Sequence, residues 1–305
     1  MPASMPETAG FFPAADGTPL YGVYHAPETP PTSPPDGPEG RASGSRVPCP
    51  PDADWKAAAR GAVVIAPPLF EERKSAYGTL TELARALAAG GYGVLRFDYR
   101  GSGESGGAPG MRRWVHLSGD LDAACTAARG LSGGEKVSLL GVRLSATLIL
   151  SEAGRFKPER IVAVAPVLNG SSEVRLWRLR SRMRTELSGG EPGGREGSAV
   201  SEGTEGSPLI DLDGFPVHPG FLDDLQHVDL PSSSVPLACP TLLVQVSHRD
   251  TPTPEYRRLA SALGPQGTLS CIKALPFWER VEHAETIALR QQVLAFLGAT
   301  PRSGG

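Results

Sequence analysis

Short apolar runs alternate along this chain with longer segments in which apolar residues recur every three or four positions. The short runs predict β-strands at residues 61–66, 93–97, 136–140, 161–165, 241–246 and 269–275. The longer segments predict helices at residues 77–89, 117–131, 144–152, 254–263 and 284–297. An antiparallel hairpin is predicted ahead of them, with Asp16 and Gly17 in its turn. This alternation predicts an α/β fold with a mostly parallel central sheet flanked by helices.

Two segments interrupt the pattern of what is otherwise predicted as a single domain spanning residues 1–305. The chain contains 37 glycines and 30 prolines, which concentrate in these two segments. Residues 26–56 are predicted to be a disordered insertion, because their composition offers too little apolar surface to bury. Residues 173–236 are predicted to form a cap or lid inserted after the sixth strand, with a disordered stretch at residues 187–208.

The composition restricts the classes of function. With 305 residues, a net charge of -3 and 40% hydrophobic residues, the sequence is typical of a soluble globular protein and does not indicate nucleic-acid binding. Its apolar stretches are shorter than a membrane span and its first residues lack a signal-peptide pattern, so a cytoplasmic location is expected. Four cysteines without C-x-x-C spacing predict neither a zinc site nor a disulfide framework. No cofactor is therefore expected, and no oligomeric state is predicted.

Residues 137–150 carry the most chemical information. An apolar run ends at Gly141 and a helical segment begins at Leu144, which is the strand, turn and helix context of the G-x-S-x-G turn that presents a hydrolase nucleophile. Arg143 occupies the position of that nucleophile. The residues two before and two after it, Gly141 and Ser145, are small, as a tight turn requires. If Ser145 were the nucleophile, Arg143 would fall where a small residue is needed, so the predicted role of Ser145 is steric or at the helix start.

Residues 91–105 read GYGVLRFDYRGSGES. Together with the turn at Arg143, the strand and loop at residues 240–250 and a C-terminal histidine, they resemble α/β-hydrolases of the serine aminopeptidase type over residues 60–298. The resemblance implies an α/β-hydrolase fold and a catalytic order of nucleophile, acid and histidine, which here gives Arg143, Asp250 and His283. Asp250 as a helix cap and His283 as a surface histidine are the alternative interpretations. His248 with Asp250 lacks the third ligand that a metal site needs.

Three shorter stretches, at residues 67–74, 165–170 and 276–278, resemble a hydrolase type associated with exosortase systems. That resemblance implies an arginine in place of the nucleophilic serine. The loop after the first parallel strand also departs from the broader family, because Pro67 and Pro68 lack the backbone N–H groups that an oxyanion hole uses. Glu71 and Glu72 follow, and their charges would oppose a developing oxyanion.

A guanidinium stays protonated because its pKa lies above about 12, so Arg143 cannot act as a nucleophile or general base. One hypothesis is that Arg143 binds the carboxylate or phosphate group of a small-molecule ligand at a helix N-terminus. The predicted ligand-binding residues are Arg143, Leu144, Phe70, Glu71 and Glu72. The predicted function is therefore the binding of a small anionic or acyl ligand in the cleft, without a serine mechanism.

Two other hypotheses remain open at this stage. In the second hypothesis, Arg143 forms an internal ion pair with Glu71, Glu72 or Asp250. In the third, the cleft hydrolyses an ester, thioester or amide through water activated by His283 with Asp250, or through a serine. The serines considered are Ser102, Ser105 and Ser145.

Overall fold

The computed structural model describes residues 7–28, 59–187, 209–212, 214–230, 237–279 and 286–299. Most of the insertion predicted at residues 26–56 and nearly all of the stretch at residues 187–208 lie outside these ranges. His283 also lies outside the described residues. Within these ranges, no helix combines the length and the apolar character that crossing a membrane requires.

The described ranges contain ten strands and eight α-helices. The strands are β1 (Glu7–Pro13), β2 (Pro19–His25), β3 (Ala62–Ala66), β4 (Gly93–Phe97), β5 (Val137–Val142), β6 (Ile161–Val164), β7 (Ile210–Leu212), β8 (Phe215–Val217), β9 (Thr241–Ser247) and β10 (Gly267–Lys273). The helices are α1 (Phe70–Ala89), α2 (Trp114–Ser132), α3 (Leu144–Ser151), α4 (Ala153–Phe156), α5 (Gly170–Leu187), α6 (Pro219–Gln226), α7 (Pro254–Ala262) and α8 (Ile287–Gly298).

Eight of the described strands form one sheet in the order β1-β2-β4-β3-β5-β6-β9-β10. The first hairpin pairs antiparallel, and β2 joins β4 antiparallel. From β4 to β10 every neighbouring pair is parallel. The prediction of a mostly parallel central sheet flanked by helices is therefore confirmed.

The core consists of two apolar layers, one on each face of the sheet. Along β3, the residues Ala62, Val64 and Ala66 belong to one hydrophobic cluster, and Val63 and Ile65 belong to the other. Helices α2 and α3 cover the first face, and α1 and α8 cover the second. A strand that is buried on both faces shows a continuous apolar run instead of alternation, which explains why short apolar runs marked these strands.

Helix α1 begins at Phe70 rather than at the predicted Tyr77. The apolar periodicity starts only at Ala76, because the preceding turns carry charged and partly exposed side chains. Glu71 and Glu72 therefore lie in the first turn of a helix and not in a loop as predicted. Carboxylates are favourable there because the N-terminal end of a helix carries a partial positive charge.

Strand β5 continues to Val142, past the predicted end at residue 140, and so reaches Arg143 directly. Carboxyl ends of adjacent parallel strands meet at one edge of a sheet, and β3, β5 and β6 are adjacent. The segments that follow these three strands are therefore brought together. They begin at Pro67, Arg143 and Ala165 respectively.

Helix α5, the β7-β8 hairpin and helix α6 stand between β6 and β9, and we call them the inserted elements. The Gly170 N–H donates to the Val228 carbonyl at 2.8 Å, and the Leu230 N–H donates to the Leu168 carbonyl at 2.9 Å. These bonds place the start of α5 against the end of α6. A Cβ atom at Gly170 would lie 1.7 Å from the Leu225 carbonyl oxygen, so only glycine fits this crossing.

We expect Gly170→Ala to lower the free energy of unfolding by about 1–3 kcal/mol or more, because the added methyl group overlaps backbone that cannot move freely. Gly119→Ala and Gly130→Ala in α2 are matched controls, since no atom lies within 4 Å of a Cβ at either position. Both controls should be neutral or stabilising by up to about 1 kcal/mol. Urea unfolding followed by circular dichroism measures the difference, and equal stability of all three variants would contradict the close crossing.

Candidate functional site

Arg143 connects β5 to α3 with φ 56° and ψ −121°. A non-glycine residue at positive φ is strained and persists only where the surrounding structure holds it. The chain segments on either side of this turn pack closely, because a Cβ atom at Gly141 would lie 2.7 Å from the backbone nitrogen and Cα of Ala146. The Arg143 N–H donates to the Val164 carbonyl of β6 at 2.9 Å, which fixes the turn against the sheet.

The Ser145 side chain is buried behind this turn, with 2% of the residue exposed. Its Oγ donates to the Pro67 carbonyl oxygen at 2.5 Å and lies 3.1 Å from the Tyr99 hydroxyl. The hydroxyl therefore ties α3 to the loop after β3. This geometry supports the steric and structural role predicted for Ser145 and leaves its oxygen facing protein atoms.

The guanidinium of Arg143 donates to three protein acceptors. Nε donates to Glu72 Oε1 at 2.9 Å, and Nη2 donates to Glu173 Oε1 at 3.0 Å. Nη1 donates to the Ala165 carbonyl oxygen at 3.3 Å. The guanidinium also lies 5.6 Å from the centre of the Trp278 ring, in cation–π contact. We call Arg143, Glu72 and Glu173 the elbow cluster.

The elbow cluster is largely shielded from solvent, with side-chain exposures of 16% for Arg143, 18% for Glu72 and 10% for Glu173. Burial alone would lower the pKa of Arg143, but the charges of Glu72 and Glu173 outweigh it and raise that pKa above its ordinary value. Burial raises the pKa of Glu72, and the charge of Arg143 offsets this only in part. Two carboxylates share one guanidinium, so the cluster holds an excess negative charge when both are ionised.

Of the acids predicted as internal partners of Arg143, the structure brings Glu72 to it. Glu71 is exposed and pairs with Lys74 at 3.0 Å, and Asp250 is exposed in the loop after β9. Glu173 was missed by the sequence analysis, which used it only as a segment boundary. Its position in the first turn of α5, the helix that follows β6, was the available signal.

Ser102 and Ser105 lie in the turn after β4 and both have internal partners. Ser105 Oγ donates to the Asp98 carbonyl at 2.6 Å and accepts from the Tyr21 N–H at 2.8 Å. Ser102 Oγ accepts a hydrogen bond from Arg112. Both hydroxyls therefore take part in the internal hydrogen bonds of the turn.

A cavity of about 60 Å³ lies between the elbow cluster and the inserted elements. Its walls are formed by Leu69, Phe70, Glu71, Glu72, Leu144, Val167, Trp177, Arg180, Leu212 and Phe215. Four of the predicted ligand-binding residues, Phe70, Glu71, Glu72 and Leu144, are thus brought together. The guanidinium of Arg143 lies beside the cavity, in contact with Glu72. Most of the remaining wall is apolar and comes from the inserted elements.

Phe70 holds the cavity wall together. Its ring makes edge contacts with Trp177, Phe215 and Phe221, at centroid distances of 5.4, 5.6 and 6.2 Å. The Arg112 guanidinium lies 5.1 Å from the same ring centre. Phe70 has φ 56°, a second strained position beside the cavity. Phe70 therefore makes aromatic contacts from α1 to three of the inserted elements.

Backbone donors remain next to the cavity although Pro67 and Pro68 have none. Leu144 is the first residue of α3, and no carbonyl within that helix can accept from its N–H group. Leu69 and Phe70 also retain N–H groups on the other side of the cavity. Within the described ranges, no set of three or more His, Cys, Asp or Glu side chains is arranged to hold a metal ion.

The comparisons with known proteins agree with this architecture. The sequence pattern of the serine aminopeptidase (S33) family matches residues 57–188. The α/β hydrolase GrgF from Penicillium sp. sh18 superposes with a TM-score of 0.59 at 19% identity, over 96% of this chain and 98% of that one. An esterase from Pyrococcus furiosus superposes with a TM-score of 0.58 at 14% identity, over 96% and 91%. No curated protein sequence matches the chain.

A member of the α/β serine hydrolases without a lid, from Xanthomonas campestris, superposes with a TM-score of 0.53 at 19% identity, over 99% of each chain. At these identities the superpositions show the fold alone. The chain has an α/β-hydrolase fold, as its resemblance to that group implied. Arg143 lies in the turn between β5 and α3.

We expect Arg143→Met to lower the free energy of unfolding at pH 7 by about 3–5 kcal/mol, because it leaves two buried carboxylates without their cation. The loss should shrink as the pH falls. Burial already raises the pKa of Glu72, and a carboxyl with a raised folded-state pKa favours the folded state at low pH and loses that contribution as the pH rises.

Denaturant unfolding between pH 4.5 and 8 measures this effect. Arg258→Met removes an arginine from an exposed ion pair with Glu255 and should leave stability nearly unchanged. The neutral combination of Arg143→Met, Glu72→Gln and Glu173→Gln should recover much of the loss. A pH-independent loss in Arg143→Met, or no loss at all, would contradict the assignment of the elbow cluster.

Proposed function

We propose that this α/β-hydrolase-fold protein binds a small acyl ligand in the cavity beside the elbow cluster and does not use a serine acyl-enzyme mechanism. The observation that supports this proposal is that the Arg143 guanidinium forms ion pairs with both Glu72 and Glu173. Those carboxylates hold the pKa of Arg143 above its ordinary value, so the residue cannot lose a proton to act as nucleophile or base. The nearby Ser145 is buried and hydrogen-bonded.

The wall chemistry favours an acyl group over an anion. Three of the five N–H groups of Arg143 already donate to protein acceptors, and two of these acceptors are carboxylates that balance its charge. The carboxylates of Glu71 and Glu72 in the wall repel an anion at the same place. An acyl chain fits the apolar side chains, and its carbonyl oxygen suits the N–H group of Leu144.

The cavity size limits the ligand to a short chain. The cavity offers about 60 Å³, and one water-sized group occupies roughly 10–15 Å³ of such a volume. Roughly four to six such groups therefore fit. This supports acyl groups of about four carbons, with the rest of the ligand outside the cavity.

We also propose that the chain belongs to the exosortase system-associated type of hydrolase. The support is that arginine at the nucleophile position is matched by two buried carboxylates, as expected if arginine is the functional residue there. Exosortase genes beside the coding sequence in related genomes would support this assignment. Their consistent absence would count against it.

We expect the purified protein to remain unlabelled by a fluorophosphonate probe. Such probes react with an activated, accessible serine, whereas the described candidates Ser102, Ser105 and Ser145 have internal hydrogen-bond partners. In-gel fluorescence with an active serine hydrolase as a positive control makes the measurement. Labelling that is lost in Ser145→Ala would overturn the proposed absence of a serine mechanism.

We expect straight-chain amides from butanamide to hexanamide to bind with dissociation constants of about a millimolar or weaker, and Phe215→Ala to weaken their binding between roughly twofold and tenfold. Loss of an aromatic wall contact of about 0.5–1.5 kcal/mol sets that range. Phe11→Ala is the matched control, because Phe11 is 63% exposed on β1 and does not line the cavity. Calorimetric titration gives the dissociation constants. If no amide binds the unmodified protein, the proposed function is wrong.

A further inference from the structure

Glu72 belongs both to the elbow cluster and to the cavity wall. Its Oε1 accepts from Arg143 Nε at 2.9 Å. In the described part of the chain, no hydrogen bond is donated to its other oxygen, Oε2. One oxygen of this carboxylate is therefore held by the protein, while the other is available to a molecule in the cavity.

Arg143 fixes the orientation of this carboxylate. Its guanidinium is held by Glu173 and the Ala165 carbonyl in addition to Glu72, and it contacts the Trp278 ring. A donor with this many contacts cannot follow a moving side chain, so Glu72 is confined to a narrow range of positions. Fixed geometry of this kind is what proton transfer to a catalytic group requires.

The environment also suits Glu72 to accept a proton. Burial raises its pKa, so it is a stronger base than an exposed glutamate. The charge and hydrogen bond of Arg143 and, to a smaller extent, the charge of Arg180 move this pKa part of the way back, whereas the charge of Glu173 raises it. A raised pKa in a cavity is typical of a general base that works near neutral pH.

Neighbouring carboxylates lack this combination of properties. Glu71 lines the cavity but is exposed and paired with Lys74. Glu173 is buried but does not line the cavity, and Asp250 is exposed in the loop after β9. Among the described carboxylates, Glu72 alone combines burial, a fixed position and a place in the cavity wall.

We propose that Glu72 is the general base of a hydrolytic reaction in this cavity, in which water attacks a short-chain ester or thioester directly and no acyl-enzyme forms. This inference rests on the proposed binding of an acyl group at the same place. Glu72 Oε2 takes a proton from water as the water oxygen bonds to the acyl carbon. The carbonyl π electrons move to oxygen, and the resulting oxyanion accepts from the Leu144 N–H.

Collapse of the tetrahedral intermediate completes the reaction. The carbonyl double bond re-forms, the bond to the leaving alkoxide or thiolate breaks, and the proton on Glu72 passes to that group. Glu72 returns to its ionised form, and the products are a carboxylic acid and an alcohol or thiol. Arg143 is a positioning residue in this scheme, because it orients Glu72 and touches no reacting atom.

The test compares Glu72→Gln with the unmodified protein on p-nitrophenyl butyrate and on a butyryl thioester. The glutamine amide oxygen still accepts from Arg143 but cannot take up a proton, so kcat should fall about 100-fold or more. The affinity for butanamide should change by less than about threefold. Glu82→Gln is the matched control, because Glu82 lies on the same helix and faces Arg290 at 3.7 Å, away from the cavity. It should leave kcat unchanged.

The pH profile gives a second readout that does not depend on a variant. Only ionised Glu72 can accept a proton, so kcat of the unmodified protein should rise with pH through a single ionisation and then level off. Glu72→Gln should remove that rise. If Glu72→Gln folds poorly, Glu72→Asp keeps the charge but withdraws the carboxylate, and a loss of about tenfold or more in kcat is then expected.

Single turnover in ¹⁸O-labelled water tests whether Glu72 itself attacks the acyl carbon. Direct attack by water places the label in the released acid and leaves Glu72 unlabelled, as peptide mass spectrometry would show. Label in the Glu72 side chain would reveal a nucleophile and overturn the general-base role. Butanamide binding without any turnover would overturn this inference but leave the proposed function standing, whereas absence of binding would remove both. Turnover that is unchanged in Glu72→Gln would likewise overturn it.

Discussion

A buried guanidinium in a strained turn is the constraint on which the rest of the site depends. Arg143 stays protonated, so negatively charged groups must lie beside it to balance its charge. Its partners come from α1, through Glu72, and from the inserted elements, through Glu173. Such a group of charges adds little net stability but is costly to break, because each member left alone is a buried, unpaired charge. The inserted elements are therefore coupled electrostatically to the edge of the sheet.

The same constraint shapes the cavity. The long side chain of Arg143 fills space beside the turn, and its donors bring Glu72 to the cavity wall. Phe70 makes a second, apolar connection, since its ring contacts both α5 and the β7-β8 hairpin. One charged and one aromatic contact thus attach the inserted elements on either side of a small cavity. Neither contact is formed within a single element, so each depends on the topology of the sheet.

The sequence predicted what depends on local pattern. Strands buried on both faces appear as apolar runs, and the small Gly141, two residues before Arg143, marked the tight turn before α3. The start of α1 was wrong, because its charged first turns show no apolar periodicity. Glu173 was missed for another reason: its contact with Arg143 requires knowing that β5 and β6 are neighbours. The pairing of adjacent strands is set by the whole sheet, so the position of Glu173 in the first turn after β6 becomes informative only once that pairing is known.

The proposed absence of an acyl-enzyme also restricts how the site can hold a ligand. If no covalent intermediate forms, as we propose, affinity for the ligand depends on non-covalent contacts alone. Burying about four methylene groups contributes about 3 kcal/mol, at roughly 0.8 kcal/mol for each group, whereas millimolar binding already requires about 4 kcal/mol. The acyl group alone is therefore held weakly, and a useful ligand must make further contacts outside the cavity. Arg180 lies at that wall, is 45% exposed and lies 4.0 Å from Glu279, which places an exposed cation where the remainder of the ligand would extend.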